Sequence, residues 1–113
     1  MKFLRRLINN MNVFIVQPME RLTNDEIKQR RLKFLDMIKR RYPTEEIRFI
    51  ANPPYPYDCN SSIWYLIKSL EYITLADLVF FSKYWEIDYI CSLEHAICRY
   101  YNMPILHEKE ITK

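Results

Sequence analysis

Leu78-Val79-Phe80-Phe81 is the stretch that most limits what this chain can fold into. An unbroken apolar run of this length reads as a strand buried on both faces, and such strands belong to parallel sheets covered by helices. The flanking sequence supplies the rest of that architecture. Asn12 to Val16 is apolar and β-branched and reads as a central first strand. Thr23 can cap a following helix, with Glu26 three residues on completing a capping box. That helix continues to about Arg41, ahead of Pro43, on an apolar stripe of Ile27, Leu32 (or the stem of Arg31), Phe34, Leu35 and Ile38. Glu46 to Ala51 alternates as a second strand. Ser61 or Ser62 caps a helix running through Leu75, with Trp64, Ile67, Leu70, Ile73 and Thr74 turned inward. Asp77 opens the third strand. The helix after it turns Ile90, Leu93, Ile97 and Tyr101 inward, Asn102 supplies a left-handed cap, and Pro104 to His107 makes a short fourth strand. The order βαβαβαβ predicts an α/β domain. Its form is a small Rossmann-like, doubly wound sheet of about four to five parallel strands with helices on both faces and right-handed crossovers.

The 113 residues set one domain as the default, with residues 1–11 as an N-terminal extension and 12–113 as the domain. Met1 to Asn10 is basic, its apolar stretch is too short for a secretory signal, and Met11 is a candidate start. The 9 Tyr, 6 Phe and 2 Trp furnish a real but small core, so dimerisation is a natural supplement. The net charge of +3 is concentrated at Arg5-Arg6 and in the helix holding Lys28, Arg30, Arg31, Lys33, Lys39, Arg40 and Arg41. This reads as a solvated helix face in preference to a nucleic-acid patch. Cys59, Cys91 and Cys98 are an odd count without a CxxC, which suggests neither a disulfide framework nor a zinc site. Cys91 and Cys98, seven apart on one helix, read as small apolar packing residues. No apolar run approaches membrane-spanning length, and the reading is of an intracellular protein. Glycine is absent altogether. Asn and Asp must therefore take the turns that need positive φ, and any phosphate-binding loop must work without glycine. The proline-rich loop from Asn52 to Asn60 carries Tyr55 and Tyr57, which can wall a pocket or only cover the core.

Glu94 is the candidate functional residue. It lies on the helix that follows the buried run, beside His95 and six residues after Asp88. A carboxylate near a helix start, just past the carboxyl end of a strand, stands where open α/β sheets place ligand sites. Nothing local neutralises it except a histidine whose charge varies near neutral pH. Plainer roles compete: Glu94 can cap its own helix or pair with Arg99 or Lys83. His95 fits a packing histidine, Trp64 fits the core, and Trp85 fits either the core or a platform for a flat ring.

Three stretches also carry a resemblance. They are Val16-Gln17-Pro18-Met19, then Trp64 to Glu71 with Ala76-Asp77, then Trp85-Glu86 followed by Cys91-Ser92-Leu93-Glu94-His95. Their order and spacing resemble small phage and bacterial domains of unassigned function in the nucleoside 2-deoxyribosyltransferase-like superfamily, which also holds deoxynucleoside-monophosphate N-glycosidases. The resemblance covers about Asn12 to Leu106. It implies that Glu94 attacks the anomeric carbon of a nucleoside, giving a glycosyl-enzyme that water or an acceptor base resolves. Asp88 would contact and protonate the departing base. Gln17, Pro18, Met19, Arg21, Ser69, Trp85 and Ser92 would bind substrate. Among these, Ser92 would hydrogen-bond sugar or phosphate, Trp85 would stack on the base, and Arg21 would supply charge. The resemblance further implies a nucleoside or nucleotide as the small-molecule partner, a homodimer, a cytoplasmic location (the host cytoplasm for a phage-encoded chain), and neither cofactor nor metal.

The chain departs from the pattern at three places. Ser69 stands where active transferases carry an aspartate, Ile90 replaces a glycine two residues after Asp88, and Glu20-Arg21 replaces another in the first loop. These departures keep two other functions open. One is a non-catalytic nucleotide or ribose-derivative binding protein, acting as a phage-type regulator or sponge; the other is a dimeric interaction scaffold.

Overall fold

A computed structural model of the chain describes residues 10–52 and 61–111. Its strands are β1 (Asn10–Val16), β2 (Glu46–Phe49), β3 (Leu78–Phe81) and β4 (Ile105–His107). Its helices are α1 (Asn24–Arg41), α2 (Ser61–Ile73), α3 (Tyr89–Tyr100) and the short α4 (Glu108–Ile111), with a 3-10 turn at Trp85–Ile87. The strands form one parallel sheet in the order β2-β1-β3-β4.

The two central strands explain the apolar run. Val13 pairs with Leu78, and the register continues to Val16 with Phe81. Successive side chains point to opposite faces, so each face collects its own core. Val13, Ile15, Leu78 and Phe80 meet Phe34 and Ile38 of α1, with Ile111 of α4 alongside. Phe14, Val16, Val79 and Phe81 meet Ile73 of α2 and Cys91 and Cys98 of α3. Helices thus cover both faces, and all of Leu78–Phe81 is buried. The chain leaves β1 toward one edge of the sheet and β3 toward the other. The crevice past their carboxyl ends is the topological switch point, where ligands bind in open sheets.

Several local expectations shift. β1 begins at Asn10, two residues before the predicted start, because Asn10 and Met11 pair with Glu46 and Ile47 and Met11 is buried. Residues 1–9 lie outside the described part. β2 ends at Phe49, short of Ala51. The Thr23 capping box forms as predicted: Glu26 N donates to Thr23 Oγ1 at 3.1 Å and Thr23 N to Glu26 Oε1 at 2.9 Å. On α1, Phe34 and Ile38 are buried, but Leu32 is exposed and drops out of the stripe.

The two helices over the other face are rotated from their predicted setting. In α2 the buried residues are Tyr65, Ser69 and Ile73, while Trp64 is 46% and Ile67 52% exposed and Thr74 is exposed. In α3 they are Cys91, Glu94, His95 and Cys98, while Tyr101 is 72% exposed. The reason is shared: each helix is apolar on more than one side, so its pattern does not fix which side meets the sheet. Small thiols let α3 approach closely, and the polar residues beside them are carried inward. Trp64 is therefore not a core residue.

Three residues hold positive φ: Arg21 (66°), Tyr84 (70°) and Asn102 (56°). Asn102 is the predicted left-handed cap, closing α3 with Met103 N to Cys98 O at 2.9 Å and Asn102 N to Arg99 O at 3.2 Å. Arg21 and Tyr84 correct the expectation that Asn and Asp alone would take such turns.

Candidate functional site

Gln17 follows the last residue of β1 and so points into the switch-point crevice. It borders a small cavity with Met19 from the same loop and Tyr65 from α2. Asp88, Ile90, Cys91 and Glu94 close the cavity from the side of α3. Its volume is about 10 Å³, room for about one water.

Glu94 is 3% exposed and forms no ion pair among the described residues. Burial pushes its carboxyl up to about 8, the charge of Asp88 adds to that, and the Ser69 hydroxyl pulls it back down. At neutral pH Glu94 therefore carries its proton. Asp88 caps α3, its Oδ1 accepting from Cys91 N at 2.9 Å. The same residue thus starts the helix and places a carboxylate beside Glu94.

Gln17 is buried, and its Oε1 accepts from Arg31 Nε at 3.2 Å. Its Nε2 is a buried donor without a hydrogen-bond partner, the kind of orphan a ligand can satisfy. Ser69 is fully buried behind Glu94. Its hydroxyl lies close enough to act on the carboxyl, yet no pair reaches hydrogen-bond geometry. Tyr65 donates to Met19 Sδ at 3.8 Å, and burial followed by the Glu94 charge pushes its hydroxyl upward.

Sequence reasoning named Gln17, Met19, Asp88 and Glu94, and the fold brings all four to one cavity. Ser69 stands just behind them. Pro18 borders an adjacent cavity on the α1 side, and Trp85 a third one past β3. Arg21 is exposed and Ser92 half-buried, and neither borders these cavities. The Tyr55 and Tyr57 wall lies outside the described residues. Tyr65 and Arg31 went unnoticed. A tyrosine four residues before Ser69 was the available signal for the first. Arg31 is recognisable only from the fold, which aims it at Gln17 and, by burial, lowers its basicity.

Past β3, Trp85 stacks on His95 with ring centroids 3.7 Å apart and planes 15° from parallel. His95 Nε2 lies 2.9 Å from His107 Nε2, and His107 Nδ1 2.8 Å from Glu110 Oε1. Two facing Nε2 atoms can share one proton but not hold two. Burial, then His107 and Arg99, lower the affinity of His95 for a second. His95 is a packed residue here. No group of three or more His, Cys, Asp or Glu side chains suited to a metal occurs among the described residues, nor does any helix long and apolar enough to cross a membrane.

No protein-family model and no curated protein matches the chain. Its fold is similar to that in the crystal structure of a conserved protein from Enterococcus faecalis V583, with a TM-score of 0.56 and 13% identity. The match covers 86% of this chain and 62% of that one, so the chain spans less than two thirds of that protein. At such identity the likeness shows the α/β fold and nothing about activity.

Proposed function

We propose that the chain binds a nucleoside or nucleotide at the carboxyl edge of its sheet and acts on the glycosidic bond, as in the nucleoside 2-deoxyribosyltransferase-like superfamily it resembles. The observation that carries this reading is the meeting of Glu94, Asp88 and Gln17 at one cavity on the switch point. A Glu94 oxygen attacks the anomeric carbon and the bond to the base nitrogen breaks, its electron pair leaving on the base. Asp88 takes up the proton that Glu94 gives up and delivers it to that base, and water or a second base then releases the sugar. Only the carboxylate form of Glu94 can attack. Its proton must first pass to Asp88, so the reactive pair holds one proton in all and the rate constant falls once pH passes about 8. Met19 and Ile90 border the cavity, and the sugar must displace such side chains to reach the carboxyl.

A second reading is a binder that does not cleave. The neutral, enclosed Glu94 and the uncharged Ser69 favour it, since both withhold charge from the place where glycosyl transfer needs it. Mass spectrometry after incubation with a panel of nucleosides and nucleotides separates the two. The enzyme reading expects free base from wild type and none from Glu94→Gln. It also expects a loss of about a hundredfold or more in Asp88→Asn with binding retained, and a faster Ser69→Asp. Wild type that holds a nucleotide intact, with no gain from Ser69→Asp, establishes the binder instead.

A further inference from the structure

The carboxyl edge of the sheet has a second half that the glutamate site does not use. On the α1 side of Gln17 lies a cavity of about 190 Å³ bordered by Arg30 and Lys33 of α1 and by Lys83, which follows β3. None of these three side chains forms an ion pair among the described residues. The acid on the same wall is Glu108, whose Oε1 already accepts from Lys83 N at 2.8 Å. Three cations thus face one engaged carboxylate. Gln17 also borders this cavity, and its buried Nε2 lacks a partner. Ser82, Lys83, Tyr84 and Glu108 are shared with a larger neighbouring cavity of about 370 Å³. Trp85 and His107 border that one, with one face of Trp85 covered by His95. Tyr84, at the junction, is exposed and held at positive φ. Backbone strain of this kind gathers at ligand-binding segments.

We propose that the joined cavities bind a small phosphorylated ring compound, its phosphoryl group among Arg30, Lys33 and Lys83 and its ring against Tyr84 and Trp85. Ionised donors favour phosphoryl oxygens over neutral acceptors, and aromatic side chains offer faces to a planar ring. This site lies across Gln17 from Glu94 and does not rest on glycosyl chemistry.

Titration calorimetry of the full chain with AMP, adenosine, ribose 5-phosphate and inorganic phosphate tests it. AMP should bind about tenfold or more tightly than adenosine, with ribose 5-phosphate and phosphate weaker than AMP, and the advantage should shrink in about 0.5 M salt. The double variant Arg30→Gln with Lys33→Gln should lose the preference for AMP over adenosine, and Lys83→Gln should lessen it. All three side chains are exposed, so these variants should fold; thermal melts check that. The loss caused by Arg30→Gln with Lys33→Gln should be as large in a Glu94→Gln background as in wild type. Equal binding of AMP and adenosine, or an AMP affinity untouched by the lost cations, overturns the proposal. So does a preference lost in Glu94→Gln but kept without Arg30 and Lys33, which moves the phosphoryl group to the glutamate crevice.

Discussion

The burial that takes Glu94 out of water favours its neutral acid, and this links one proton to the stability of the whole fold. The group ordinarily titrates near 4.5 and here at about 8. Between those values the folded chain keeps the proton while the unfolded chain gives it up. Unfolding therefore releases a proton, and stability falls as pH rises through that window. The contribution is complete below about 4.5 and gone above about 8. A shift of this size corresponds to a few kcal/mol. Glu94→Gln keeps the shape and cannot titrate. Urea unfolding at about pH 5 and about pH 8.5 should show wild type losing roughly 3–5 kcal/mol more than Glu94→Gln over the interval. Parallel pH profiles for the two proteins would mean that Glu94 is solvated. The same proton is the one the proposed chemistry uses, so a rate that falls above about pH 8 and a stability already lost there would share one origin.

At the scale of elements, the absence of glycine leaves its mark in the turns. Left-handed backbone costs an ordinary residue roughly 1–2 kcal/mol, while glycine there costs only the extra freedom of the unfolded chain, roughly 0.5–1 kcal/mol. Arg21 and Tyr84 are both exposed and both at positive φ. Arg21→Gly and Tyr84→Gly should each raise the urea midpoint, with a net gain of about 0.5–1 kcal/mol. A lowered midpoint would show that the arginine or tyrosine side chain outweighs the strain. These turns also mark what could be read from the chain. The succession of strands and helices, the capping box and the Asn102 cap were legible because each is written in adjacent residues. The rotation of α2 and α3 was not. Trp64 and Ile67 looked like core, and Tyr65 and Ser69 did not, since an inward tyrosine and serine make sense only once Glu94 is buried opposite them. Glu94 was legible as a candidate because strand ends and helix starts are local signals, whereas Gln17 and Asp88 were named only through the resemblance. Arg31 was not legible, because its role depends on α1 folding back over β1.

The same rotation decides what the molecule shows to others. With Tyr65, Ser69 and Ile73 turned to the sheet, Ile63, Trp64 and Ile67 stand in solvent on α2, and Tyr100 and Tyr101 do so at the end of α3. Ile90, Leu93 and Ile97 beside them are only half-buried. Apolar surface gathered on neighbouring helices marks an interface more often than chance exposure does. A second copy of this chain is the partner that fits. A two-fold contact brings one patch against itself, so any net charge on it would repel. The charges on α2 here, Lys68 and Glu71, lie 3.7 Å apart and cancel. A chain of 14.0 kDa also has a small core to gain by pairing. We predict a homodimer through α2 and α3, with a mass twice that of the chain by light scattering at high micromolar concentration. Trp64→Glu with Ile67→Glu places like charges against each other across the two-fold axis and should give the single-chain mass. Both side chains are about half exposed, so the monomer should still fold, with unchanged far-ultraviolet circular dichroism. A wild type already monomeric at that concentration, or a double variant still dimeric, would mean that this face does not pair two copies.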